Sequence, residues 1–141
     1  MKKLWIPLFL KFEDIDMCLI IDRPRHEKVL VGRKGVCVPV TLSESISAYK
    51  LIYLNGHALH QYNFKYLPNT LYKKRKLRPT SENVFGAAFH VYSKKPASVS
   101  YCMTIKVVIP KGATVFFGRY GDIATNMLQT LDFPTRYKPN D

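Results

Sequence analysis

The chain has 141 residues, 47% of them hydrophobic and 13% aromatic, and a formal net charge of +12. That is the composition of one folded domain, too short to split into halves that each bury a substantial core. The charge is uneven: residues 1–45 hold 8 Lys/Arg and 6 Asp/Glu, residues 46–120 hold 12 Lys/Arg against the single acid Glu82, and residues 121–141 hold 2 and 3. So basic a middle attracts phosphates, nucleic acid or an acidic protein surface, the generic alternative being a solubilising charge. Its scarcity of carboxylates disfavours a glycosidase-type acid pair and a carboxylate-bound Mg²⁺ nuclease.

Residues 3–12, KLWIPLFLKF, read as a strand, placed at an edge or bulge by Pro7. The run is too short for a membrane span, and Glu13, Asp14 and Asp16 follow it at once, so neither a secretory signal nor a membrane partner is expected. Residues 17–22 form a short apolar strand and 23–26, RPRH, a turn. Residues 28–31 and 36–40 flank Gly32-Arg33-Lys34-Gly35 as a hairpin. Residues 41–47 are polar and suit a turn or one helical turn, which marks a soft boundary after an N-terminal β section over 1–45.

A core is expected over 48–131. Residues 48–54, AYKLIYL, form a strand closed by Asn55-Gly56, and the aromatic stretch 57–66 is its expected return strand. Pro68-Asn69 turns the chain into 71–78, LYKKRKLR, and 79–83 is a loop. Residues 85–92 resume as a strand. Ser93 then suits an N-cap, with Pro96 in the first turn of a short helix to about Tyr101. Residues 104–109, TIKVVI, form the clearest strand, turned by Pro110-Lys111-Gly112. Residues 113–117 and 122–131 flank 118–121 as a hairpin, and 132–141 is a tail expected to fray. The sum is a single α+β domain, mostly antiparallel with one or two short helices, an all-β sandwich or small barrel being the alternative.

Walker, GxGxxG, GxSxG and HExxH motifs are absent. Cys18, Cys37 and Cys102 lie in apolar runs without CxxC spacing, which suits buried free thiols in a reducing compartment rather than disulfides or a metal centre. His57, His60 and His90 have the chemistry of general acids or bases, and His90 stands beside the small residues Gly86, Ala87 and Ala88. The ordinary reading of each is a hydrogen-bonded structural histidine. Lys65, Lys73, Lys74, Arg75, Lys76 and Arg78, interleaved with Tyr62, Phe64, Tyr66 and Tyr72, suit phosphate tracking with base stacking. A solvated basic edge strand that resists aggregation would look the same.

Gly86-Ala87-Ala88-Phe89-His90-Val91-Tyr92 leads into 93–102, SKKPASVSYC, and then into Val107-Val108-Ile109-Pro110-Lys111-Gly112-Ala113-Thr114. In this order the segments resemble the ADP-ribosyltransferase-like superfamily. With Tyr49-Lys50 ahead of them they also look like small proteins of bacteriophages and gut bacteria. The resemblance covers 48–131 and implies a split antiparallel sheet around a nicotinamide-nucleotide cleft, with NAD as cofactor if the fold is active. It places Lys50, His90 and Asn126 as the candidate catalytic residues.

The superfamily's last key strand supplies a Glu, and the comparable segment here, 122–128, DIATNML, has none. Asn126 in its place offers hydrogen bonds without charge. A binding protein with a degenerate, non-catalytic core is therefore the economical expectation, located in the host cytoplasm or in a virion and engaging nucleic acid, a nucleotide or an acidic partner protein. Alternatives are an active transferase acting on NAD or an RNA end, and a virion structural or assembly protein.

Overall fold

The computed structural model describes residues 19–31, 34–59, 63–81, 83–84, 88–97 and 100–140. The expected strand over 3–12, Cys18, the tip of the first hairpin, His60, Tyr62, and Gly86 and Ala87 lie outside them.

Two long strands form the centre. β5 (Ile46–Tyr53) and β9 (Cys102–Ile109) pair antiparallel over their whole length, from Ile46 opposite Ile109 to Tyr53 opposite Cys102. In β9, Met103, Ile105, Val107 and Ile109 are buried while Lys106 is exposed. That is the period-two alternation of a strand with one face on a core.

In chain order the remaining strands are β1 (Leu19–Ile20), β2 (Lys28–Val31), β3 (Lys34–Cys37), β4 (Val40–Thr41), β6 (Leu71–Lys73), β7 (Asn83–Val84), β8 (Phe89–Tyr92), β10 (Thr114–Phe117), β11 (Asp122–Thr125) and β12 (Met127–Thr130). β2 and β3 form the expected hairpin, and β1 pairs with β7. The other eight form one antiparallel sheet in the order β4-β10-β11-β8-β5-β9-β12-β6.

The third and seventh members of that order, β11 and β12, are separated in the chain only by Asn126. What reads in the sequence as one strand over 122–131 is therefore bent at Asn126, with its halves on opposite sides of the sheet. The ring β11-β8-β5-β9-β12 is closed by the backbone itself, as in a small barrel. The closure is fastened at one corner. Lys74 N donates to Asn126 O at 2.7 Å, Asn126 N donates to Thr114 O at 3.2 Å, Thr114 N donates to Asn126 Oδ1 at 2.7 Å, and Leu77 N donates to Thr114 Oγ1 at 3.1 Å.

The barrel interior is apolar, with Ala48, Ile52, Val91, Ile105, Val107 and Leu128 in its core. A second core covers the outer face of β10 and β11, where Phe116 and Ala124 pack with Leu19, Ile21, Cys37, Leu77 and Val84. Ile123 faces the first core and Ala124 the second, so this stretch of sheet is covered on both sides.

The α+β expectation is corrected: the protein is all-β, the architecture weighed as the alternative. Among the described residues the sole helical element is the three-residue 3₁₀ turn Arg23–Arg25. Among the described residues no helix follows Ser93. Its N–H continues the sheet by donating to Gly121 O at 2.8 Å, and the Pro96 carbonyl accepts from Thr104 Oγ1 at 3.4 Å. A short segment with Pro96 in it and no apolar stripe has little to hold a helix against those bonds.

The segment after β12 is docked rather than frayed. Phe133 and Tyr137 meet edge-on at 4.8 Å between centroids and pack on the barrel core, and Lys138 N donates to Leu54 O at 2.8 Å. Cys37 and Cys102 are buried free thiols. Among the described residues no helix is long and apolar enough to cross a membrane, and no group of three His, Cys, Asp or Glu side chains is placed to hold a metal ion.

Candidate functional site

The basic segment is a strap. Leu71, Tyr72 and Lys73 pair with Gln129, Leu128 and Met127 as the terminal strand of the sheet. The chain then crosses the Asn126 corner, held there by the Lys74 and Leu77 amides, and reaches Thr80, which exchanges two backbone bonds with Cys37 at 2.8 and 3.1 Å. Anchoring both ends fixes which side chains can turn outward. Tyr72, Lys74 and Leu77 face the protein, while Lys73, Arg75, Lys76 and Arg78 are exposed. Among the described residues these four cations make no side-chain hydrogen bond or ion pair.

The two remaining members of the expected binding set have other duties. Tyr72 belongs to an aromatic cluster, 5.2 Å from the Tyr66 ring and 5.4 Å from that of Phe64, and its hydroxyl accepts from Leu67 N at 2.8 Å. Its ring is packed within that cluster. Lys65 spends its ammonium on Pro139 O at 2.9 Å.

Lys74 differs from its neighbours. It is half-buried, with its ammonium 4.5 Å from the centroid of the Phe89 ring, and burial lowers its pKa. It lies within electrostatic reach of Lys50, which stands on the inward face of β5 between Ala48 and Ile52 and is 7% exposed. Lys50 Nζ donates to His90 O at 2.8 Å and lies 5.5 Å from the Tyr66 centroid. Burial first, and the like charge of Lys74 second, bring the Lys50 pKa down from 10.5 to about 8. Burial likewise holds the Tyr66 hydroxyl well above its ordinary range, with Tyr72 adding to the shift.

Of the three residues proposed as catalytic, the structure therefore joins Lys50 to His90 only through the His90 carbonyl. Phe89 and Val91 face the barrel interior, and His90, opposite Ala124 in the register, is directed to the other face of β8. Asn126 sits at the corner with its Oδ1 on Thr114 N. Lys74 links the pieces, since its amide meets Asn126 and its ammonium neighbours Lys50.

No protein-family model matches the chain, and no curated protein or solved structure is significantly similar to it. The site is therefore read from its own geometry.

One organising residue has no sequence signature. His26, in the expected turn, is buried, and its Nε2 accepts from Phe117 N at 2.9 Å. That bond requires an unprotonated Nε2, so Nδ1 carries the hydrogen and donates to Val38 O at 3.0 Å. Its ring packs on Phe116 and Phe117, and the Arg25 guanidinium stacks 3.9 Å from the Phe117 centroid. The inward placement of Lys50 was legible, because alternation through Ala48, Lys50 and Ile52 puts all three on one face. Lys74 likewise alternates with Tyr72.

Proposed function

We propose that this protein binds nucleic acid through the strap. The observation that carries the reading is the exposure of Lys73, Arg75, Lys76 and Arg78 on a segment anchored at both ends. Anchoring matters energetically because an ordered backbone leaves only side-chain entropy to lose on binding. The strap's cations meet no carboxylate among the described residues, so phosphates need not compete with an internal partner. The aromatic rings nearby are packed on one another, so the contact is with the sugar–phosphate backbone and carries little sequence preference.

An active ADP-ribosyltransferase-like enzyme is the less economical reading. The segment comparable to its catalytic strand has no Glu, Asn126 Oδ1 is spent on Thr114, and the His90 side chain is directed away from Lys50.

The test is titration of fluorescent random-sequence single-stranded DNA and RNA over a range of salt concentrations. Four phosphate contacts give a slope of log K against log salt of about −3, and each Lys or Arg changed to Gln lowers its magnitude by about 0.7. Absence of binding at low salt, or equal affinity for polyglutamate, would overturn the proposal; the second result would point to an acidic protein instead.

A further inference from the structure

Lys50 is out of keeping with its surroundings. Its neighbours on the inward face of β5 are Ala48 and Ile52, and beside it on the flanking strands are Ile105, its register partner on β9, and Val91 on β8. An ammonium in such a place needs a counter-charge or dense hydrogen bonding. Among the described residues the Lys50 ammonium donates to His90 O, and the charge that acts on it is the like charge of Lys74. Lys50 is buried and Lys74, within electrostatic reach of it, is half-exposed, so the pair runs from the interior toward solvent. The Tyr66 and Phe89 rings stand beside the respective ammonium groups. Packing alone would be served better by Leu or Met at position 50.

A desolvated lysine beside a second cation is the arrangement that makes an amine nucleophilic toward a carbonyl. The second cation also supplies what an anionic substrate needs. We propose that Lys50 forms an imine with a small aldehyde or ketone bearing a carboxylate or phosphate group, and that Lys74 holds that anionic group.

The ammonium of Lys50 first gives its proton to solvent. The amine lone pair then attacks the carbonyl carbon, the C=O π electrons move to oxygen, and one proton passes from the now cationic nitrogen to that oxygen, giving the neutral carbinolamine. The carbinolamine loses its hydroxyl as water while the nitrogen loses its remaining proton, giving the C=N bond. Amine and carbonyl are converted to imine and water with no change of oxidation state, and hydrolysis reverses the step. With its pKa near 8, Lys50 has free amine at neutral pH on the order of a hundred times more often than an ordinary lysine.

The experiment treats the full chain with glyoxylate or acetaldehyde plus cyanoborohydride near neutral pH and follows each lysine by peptide mass. Lys50 should be modified at least about ten-fold faster than exposed Lys106 and Lys111, an advantage lost in urea. Glyoxylate should be favoured over acetaldehyde at Lys50 more than at Lys106, and Lys74→Gln should remove that preference. Taking the ratio of the two reagents cancels any change in Lys50 basicity. Modification of Lys50 no faster than Lys106, or a glyoxylate preference that survives Lys74→Gln, would overturn the proposal. Nucleic-acid binding through the four exposed cations would be untouched by either result.

Discussion

Replacing Lys50 by methionine should stabilise the protein. A folded-state pKa of about 8 against 10.5 means that keeping the buried amine charged at neutral pH costs roughly 3 kcal/mol relative to water. Methionine removes that cost and fills similar space, but gives up the bond to His90 O, worth about 1 kcal/mol. The net gain is ~2 kcal/mol at pH 7, or ~6 °C in melting temperature for a domain of this size.

The sign reverses with pH. Between about pH 8 and 10.5 the unfolded chain holds the Lys50 proton more often than the folded one, so wild-type stability rises across that window. Lys74, shifted the same way, adds to the rise. Tyr66 acts oppositely above pH 10, where the unfolded chain ionises first and stability falls. Urea unfolding of the wild type should therefore show a maximum near pH 10, and Lys50→Met should flatten the climb toward it. A variant less stable than wild type by more than about 1 kcal/mol at pH 7 would refute the reasoning, as would a wild-type profile that does not rise from pH 8 to 10.

Other perturbations test the frame around the site. Asn126→Ala leaves the buried Thr114 N–H without its acceptor and should cost ~1–3 kcal/mol in denaturant unfolding, with exchange at the Thr114 amide accelerated. His26→Ala removes the acceptor for Phe117 N and the donor to Val38 O and should cost ~2–4 kcal/mol by the same measurement, whereas His26→Gln should recover part of it. Gly56 has φ +93°, and a Cβ there would meet Tyr66 O at 2.7 Å; Gly56→Ala should lower the melting temperature by an amount equivalent to ~1–3 kcal/mol. Changing Lys73, Arg75, Lys76 and Arg78 together to Gln should flatten the salt dependence of DNA binding without lowering thermal stability, since none of the four side chains anchors the strap, Lys73 pairing through its backbone alone.

The strands were legible where alternation was regular. AYKLIYL and TIKVVI became the central pair, and the turns at Asn55-Gly56 and Pro68-Asn69 lie where their residue types put them; the expected hairpin forms too, but its second strand is Lys34–Cys37 rather than 36–40, and Val40 joins the large sheet instead. The return strand expected over 57–66 is reduced among the described residues to isolated bridges at His57, Ala58 and Lys65. The helix after Ser93 was misread because a capping residue and an early proline also suit a loop that leaves a sheet. The bend at Asn126 was hidden, since nothing in DIATNMLQTL marks a strand that changes partners midway.

At the site, face alternation separated Lys74 from its exposed neighbours in principle, but only the anchoring bonds of the strap fixed which cations point outward. Tyr72 looked like a stacking residue because composition cannot tell an aromatic that packs on other rings from one awaiting a base. His26 depends on partners at positions 38 and 117, which local pattern does not reach.

The bend at Asn126 also sets the order in which the protein can be assembled. β5, β8 and β9 are synthesised before β11 and β12, yet the free sides of β8 and β9 are paired only by those later strands. Until residues 122–130 are in place the ring has two unpaired edges flanking its most apolar strands, which is the surface on which chains join to one another instead of closing. Contacts so distant in sequence also form slowly. A ribosome-bound chain halted before Asp122 should consequently be aggregation-prone and a chain that includes Thr130 should not, so the corner that completes the barrel is also the point at which the nascent protein becomes safe from self-association.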